Sequence, residues 1–369
     1  MSLVDKMVEM LEYSQDEVSK KFRWLSFIAC IGVLMIHNRT YLTMQAPSLV
    51  VVGIQRFGSD VLARFAVPFF FLTSGFWFAR KGYLDIGQGV QFAAKKLKTL
   101  LVPYLMWAIA GVALLTPLCV INNFITKRPL FDRTILALPG CWGKVDALLG
   151  VSGAGPIGDM PLWFIKSLLA IFLISPLFLL LRKLSVMFLW LLSLSLLFVG
   201  MFVPSVPCLS LSASFVGWFM LGIALHESGC YRYALGRGKT IAYGIIWVIF
   251  SLGTVAQLME WVKLNLVWHR LLACMCNLCG VTFLWGVGDW LLEFKLPRPA
   301  GRLFWIYCFH QFVTSYTIAT VFFLVGKNDV VALLLYFLGP FFYVPVCCWT
   351  AKLLERLLPR VYLVLAGGR

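Results

Sequence analysis

Apolar residues run along this chain in long blocks separated by short polar turns, and the blocks recur from one end to the other. A helix needs about 20 mostly apolar residues to cross the hydrocarbon core of a bilayer. Blocks of that size begin near residues 24, 56, 100, 161, 184, 210, 240, 270, 303 and 330. Strands alternating apolar and polar residues, the pattern of a membrane barrel, are absent. The pattern therefore predicts an all-α fold, a polytopic membrane helix bundle with about ten transmembrane helices. Residues 1–23 read as a cytoplasmic N-terminal tail, 24–358 as the transmembrane domain and 359–369 as a cytoplasmic C-terminal tail. Val4, Met7, Val8 and Leu11 could form an apolar stripe on a helix lying at the interface. A plain solvated tail fits the same residues. Acidic and basic residues mix across positions 1–23, unlike the start of a cleavable signal peptide.

Composition agrees with the pattern. Hydrophobic residues fill 61% of positions and charged ones 13%, too few to clothe a soluble domain of this length. The net charge of +16 does not read as a nucleic-acid footprint, because Lys and Arg fall in short loops between apolar blocks. With the N-terminus in the cytoplasm, the groups Arg80 to Lys98, Arg182–Lys183, Arg232 to Lys239, Lys295 to Arg302 and Lys352 to Arg369 all lie inside. That places most of the basic residues within, puts both termini inside and locates the protein in the plasma (inner) membrane. The connection 118–160 then faces outward. Its glycines and prolines predict an irregular loop, and a loop of that length is often functional. No internal repeat is visible, which weakens the inverted-repeat transporter architectures. The cluster Cys274, Cys276, Cys279 lacks zinc-ligand spacing, so no metal site is expected.

Ionisable side chains inside a span cost roughly 2.5–3.5 kcal/mol on insertion scales, so each is a functional candidate. His37 closes the run Trp24 to Ile36, Arg64 interrupts the second block, and His310 sits early in the ninth. At about 1.5 Å per residue, His37 and Arg64 both lie roughly 21 Å from the inner face. His310, counted from Arg302, lies only roughly 12 Å deep. Plainer readings stand beside these: an intramembrane histidine can be a packing hydrogen bond, and Arg64 or Lys166 can snorkel to an interface. Lys95, Lys96 and Lys98 serve as a positive-inside signal, or hold the phosphates of a nucleotide-bearing donor.

These residues resemble the membrane acyltransferase-3 family. Its first helix ends an apolar run in V-x-x-x-H, and here stands Leu25 to His37; its second motif, R-x-x-V-P-x-F-F-x-x-S-G, is matched from Arg64 to Gly75. Lys95 to Tyr104, Pro161 to Lys166 and Phe304 to His310 follow in family order. The resemblance implies ten helices, a cytoplasmic acyl-CoA donor (acetyl-CoA foremost) and a cell-envelope glycan or glycolipid acceptor modified at the outer side. His37 takes the catalytic histidine position and Arg64 that of the second-helix arginine. Ser74 of the second motif, Lys96, Lys98, Lys166 and His310 join Arg64 as substrate-binding candidates. One position departs. The family carries Arg or Lys eleven residues before the histidine; this chain has Ser26, with Arg23 one turn earlier as a substitute.

The expected chemistry is acyl transfer to a hydroxyl, with His37 as general base and Arg64 stabilising the oxyanion or orienting the thioester. A buried imidazole is expected neutral, hence able to take a proton. An acyl-histidine intermediate stays open. The rival reading is a transporter or flippase using His37, Arg64 and His310 along a path; a binding or sensor role comes third. No cofactor is expected beyond the donor itself, and the partners are the donor, the acceptor and membrane lipids, with no nucleic acid.

Overall fold

Helix starts follow local capping chemistry. Ser14 and Glu17 form a reciprocal capping box at the head of the first helix, with bonds of 2.8 and 3.2 Å. Ser48, Asp85, Ser185, Asn265 and Asn328 cap later helices through their side chains. The computed structural model describes residues 12–83, 85–132, 134–152 and 155–368. The stripe at Val4, Met7, Val8 and Leu11 lies outside the described residues.

In chain order the helices are α1 (Gln15–His37), α2 (Leu49–Gln55), α3 (Ala66–Arg80), α4 (Ile86–Ile125), α5 (Gly140–Leu149), α6 (Trp163–Leu173) and α7 (Ser175–Leu181). There follow α8 (Val186–Val199), α9 (Ala213–Glu227), α10 (Arg237–Leu258), α11 (Leu266–Leu291), α12 (Leu303–Val325), α13 (Asp329–Leu357) and α14 (Pro359–Leu365). The fold is the all-α bundle that the apolar blocks predict. Among the described residues seven helices are long and apolar enough to cross a membrane, and an eighth if α6 and α7, bent by 54°, form one span. The fifth and sixth blocks become α8 and α9, of 14 and 15 residues.

A helix bundle in lipid gains little from burying apolar surface, so close backbone approach and buried polar bonds hold it together. α9 packs most extensively on α3 and α8. A Cβ at Gly75 would stand 1.9 Å from the Phe219 carbonyl oxygen, and one at Gly222 would stand 1.9 Å from that of Leu72. Only glycine permits that crossing. α1 occupies the centre, touching α3, α11, α12 and α13. α10 is the contrasting case: Ile241, Ile245, Ile249 and Leu252 form an exposed apolar face, as lipid contact requires.

Three expectations change in detail. The first helix begins nine residues before the apolar block, so Lys20, Lys21 and Arg23 stand on helix rather than in a tail. α4 spans 40 residues, about 60 Å at helical rise, and carries the chain through Pro103 and Pro117 out to Ile125. What remains of the connection 118–160 contains α5 and folds back on the bundle. Tyr104 donates to the Leu149 carbonyl at 2.6 Å, and Gly111 and Gly158 meet backbone to backbone. Residues 359–365 form α14, whose Tyr362 and Leu365 are buried, and the Trp107 indole donates to the Leu365 carbonyl at 2.9 Å.

Candidate active site at the end of the first helix

α1 ends at His37, and the polar run after it is held by atoms from distant segments. Asn38 is fully buried; its amide donates to the carbonyls of Leu335 and Tyr336 at 2.9 and 3.1 Å and accepts from the Tyr343 hydroxyl at 2.9 Å. The Gln55 amide donates to the Thr40 hydroxyl at 2.7 Å, which itself donates to the Ala332 carbonyl. Buried polar groups satisfied in this way fix one conformation, because each alternative would leave one unpaired in low dielectric.

The second span is irregular where it passes this point. A π-helical turn covers Arg56–Val61 and a 3₁₀ turn Leu62–Phe65, before α3 resumes. Such insertions re-aim side chains and recur at functional sites. The turn lets Ser59 donate to the Met35 carbonyl at 2.6 Å, and Gly58 accepts the Tyr336 ring where a Cβ would stand 2.1 Å from its hydroxyl. Asp60 then reaches both Arg39 and Arg64, at 2.9 and 3.0 Å.

His37 and Arg64 line one cavity of about 1370 Å³. Its other walls come from residues 200–214 between α8 and α9, from the last turns of α10 and from the first turns of α11. These are the ends of the helices away from Gln15. At the opposite end of the bundle Arg232 meets Glu12 at 2.8 Å, Arg182 meets Glu227 at 2.7 Å and Arg80 meets Gln15. The charged loops around Arg80, Arg182 and Arg232 therefore share one end.

His310 lies beside His37, with ring centroids 5.2 Å apart. This corrects the depth reading, which set His310 well below His37. From Gln15 to His37 is roughly 33 Å of helix, whereas from Leu303 to His310 is roughly 10 Å. The two helices therefore start at different levels, and the turn Arg298–Gly301 that leads into α12 packs against α1. Arg302 is held there by Glu355 of α13 at 2.5 Å. His310 is fully buried, and its Nδ1 lies 2.6 Å from the Tyr307 carbonyl. A carbonyl only accepts, so Nδ1 carries the proton and Nε2 is the bare nitrogen of the neutral ring. That Nε2 has no partner among the described residues.

The other candidates lie elsewhere. Ser74 donates to the Phe70 carbonyl at 2.8 Å within its own helix and is not on the cavity wall. On α4, Lys96 lies over the rings of Phe92 and of Phe172 from α6, at 5.5 and 5.3 Å, while Lys98 is exposed on the same helix. Lys166 donates to the Gly150 carbonyl and pins the connection between α4 and α6. Arg23 is exposed, so the buried basic residue near the head of α1 is Lys21, paired with Asp289. Sequence reading missed Asp60, although its i,i+4 spacing to Arg64 was a legible signal. Asn38, Gln55, Ser59, Tyr336 and Tyr343 gave no such signal, since their partners are remote in sequence.

A family model described as an acyltransferase domain matches residues 20–352. The chain is 26% identical over 367 residues to the succinoglycan biosynthesis protein ExoH of Rhizobium meliloti, covering 95% of this chain and 93% of that one. No solved structure matches.

Proposed function

The chain belongs to the acyltransferase-3 family and is an integral membrane acyltransferase; from that premise we propose that it moves an acyl group from cytoplasmic acyl-CoA to a hydroxyl of a cell-envelope glycan, with His37 as general base. The observation that carries this reading is the placement of His37 on the wall of a large cavity, next to the buried His310. A site of about 1370 Å³ exceeds the roughly 300–1,000 Å³ of ordinary small-molecule pockets and suits an oligosaccharide. Trp163 and Phe215 offer flat apolar faces to sugar rings, and Ser205, Ser210, Ser212 and Ser214 offer hydroxyls. The relative's role in succinoglycan biosynthesis points the same way.

In the proposed step the His37 imidazole takes the proton of the acceptor hydroxyl as its oxygen attacks the thioester carbon. The new C–O bond forms, the C–S bond breaks, and the proton passes from His37 to the departing thiolate. Arg64, in the same cavity, stabilises the oxyanion between these events. His310 presents an acceptor nitrogen beside His37 and holds the donor end of the reacting pair. The acyl group is acetyl in this reading, the donor enters from the end of the bundle bearing Lys96 and Lys98, and that end is cytoplasmic.

The test is free CoA release and acylated-glycan yield in membranes, normalised to protein level. His37→Asn and His37→Gln should insert normally and lose acylation by at least about two orders of magnitude, the low end of general-base contributions. Near-normal acylation in both variants would return His37 to a packing role.

A further inference from the structure

The wall of the cavity carries an unusual charge. Its charged members are Arg39, Arg56, Asp60, Arg64 and Arg270, four guanidiniums against one carboxylate. Asp60 is shared by Arg39 and Arg64, so it neutralises one charge of that pair and leaves the other. Arg56 donates through one terminal nitrogen to the Leu258 carbonyl at 2.5 Å, and Arg270 likewise to the Met201 carbonyl. Both bonds are to neutral oxygens, so they orient the guanidiniums without compensating them. Arg39 keeps a buried Nε with no partner among the described residues, and His269, also on the wall, keeps a buried Nδ1 in the same condition. A concave wall of mostly one sign between apolar surfaces focuses its field, and buried polar nitrogens without partners are costly unless a ligand completes them.

We propose that the arginines of this wall, Arg56 and Arg270 foremost, form a subsite for an anionic oxygen group, a phosphate or carboxylate, carried by the acceptor glycan. A guanidinium fork matches both groups bidentately and stays charged at any working pH. The anion belongs to the acceptor because the cavity opens at the end of the bundle away from the basic loops, where positive-inside orientation puts the outer face. Held there, the acceptor would present its hydroxyl to His37 on the same wall. This assignment rests on reading the cavity as the acceptor side of the acyltransferase.

The full chain in detergent would be titrated with trigalacturonate against maltotriose, and with farnesyl diphosphate against farnesol. Tight binding in the first pair identifies a glycan carboxylate; in the second, it identifies the phosphates of a lipid-carried acceptor. Either result should weaken several-fold between 50 and 200 mM salt, and by about tenfold or more in Arg56→Gln or Arg270→Gln, the loss of one charge-assisted bond. If those variants fold poorly, the salt dependence and the anion–neutral contrast on the unaltered protein still decide. Anions binding no better than their neutral partners would overturn the proposal, as would displacement of bound anion by coenzyme A, which assigns the wall to the donor. CoA release from acyl-CoA is measured on the same preparation. Release without anion preference defeats this subsite alone; anion preference without release defeats the acyltransfer reading, and with it the assignment of the anion to an acceptor.

Discussion

Lys21 shows what a single buried charge costs when its partner is taken away. The side chain is fully buried on α1, lies 3.8 Å over the Trp285 ring and pairs with Asp289. Asp289 also accepts from the Tyr13 hydroxyl at 2.8 Å and the Leu235 amide at 2.9 Å, so one carboxylate ties three segments together. Removing one member of a buried pair typically costs about 3–5 kcal/mol, whereas replacing both by apolar residues of like volume is far milder. Asp289→Ala should therefore unfold at a markedly lower temperature in detergent, and Lys21→Met with Asp289→Leu should recover much of that loss. A double variant as unstable as the single one would mean that the hydrogen bonds of Asp289, not its charge, hold this end.

At the level of elements, α3 and α9 meet through their backbones, so their contact depends on absent side chains. Gly75→Ala and Gly222→Ala each place a methyl group about where a carbonyl oxygen now lies, 1.9 Å away in both cases. The helices must separate, and each variant should lose at least about 2 kcal/mol, within the range of overpacking costs. Ser74, the neighbour of Gly75, bonds only within its helix, so Ser74→Ala should keep acylation within a few-fold. Comparing midpoints of thermal unfolding in detergent for the three variants checks this. Stable glycine variants beside an inactive Ser74→Ala would reverse the assignment, making the serine a ligand and the glycine dispensable.

For the whole molecule, the two ends differ in what they gather. One end joins Glu12, Gln15, Arg80, Arg182, Glu227, Arg232 and Asp289; the other holds the cavity with His37. In the proposed reading the basic loops of the first end face the cytoplasm, as the positive-inside rule expects. On a cysteine-free background, Lys96→Cys should resist a membrane-impermeant maleimide in intact cells, and Arg128→Cys should react. The opposite pattern would invert the molecule and place the cavity on the donor side.

What the sequence determined by itself is what the bilayer judges locally. A span must be apolar over its own length and satisfy its own backbone, so the blocks foretold the helices, and the motifs about His37 and Arg64 pointed to one site. The charge grouping at one end was legible for the same reason, since it is written loop by loop. Tertiary structure decided the relations between spans. The level at which α12 begins is set by its packing beside α1, which no count of residues from Arg302 reveals, and that packing brings His310 to His37. The i,i+4 pair of Asp60 with Arg64 could be read along the chain, but its second pair, with Arg39, is made by packing. Asn38 and Tyr343 lie 305 residues apart and are bonded at 2.9 Å, a pairing set by packing that neither residue's neighbours encode.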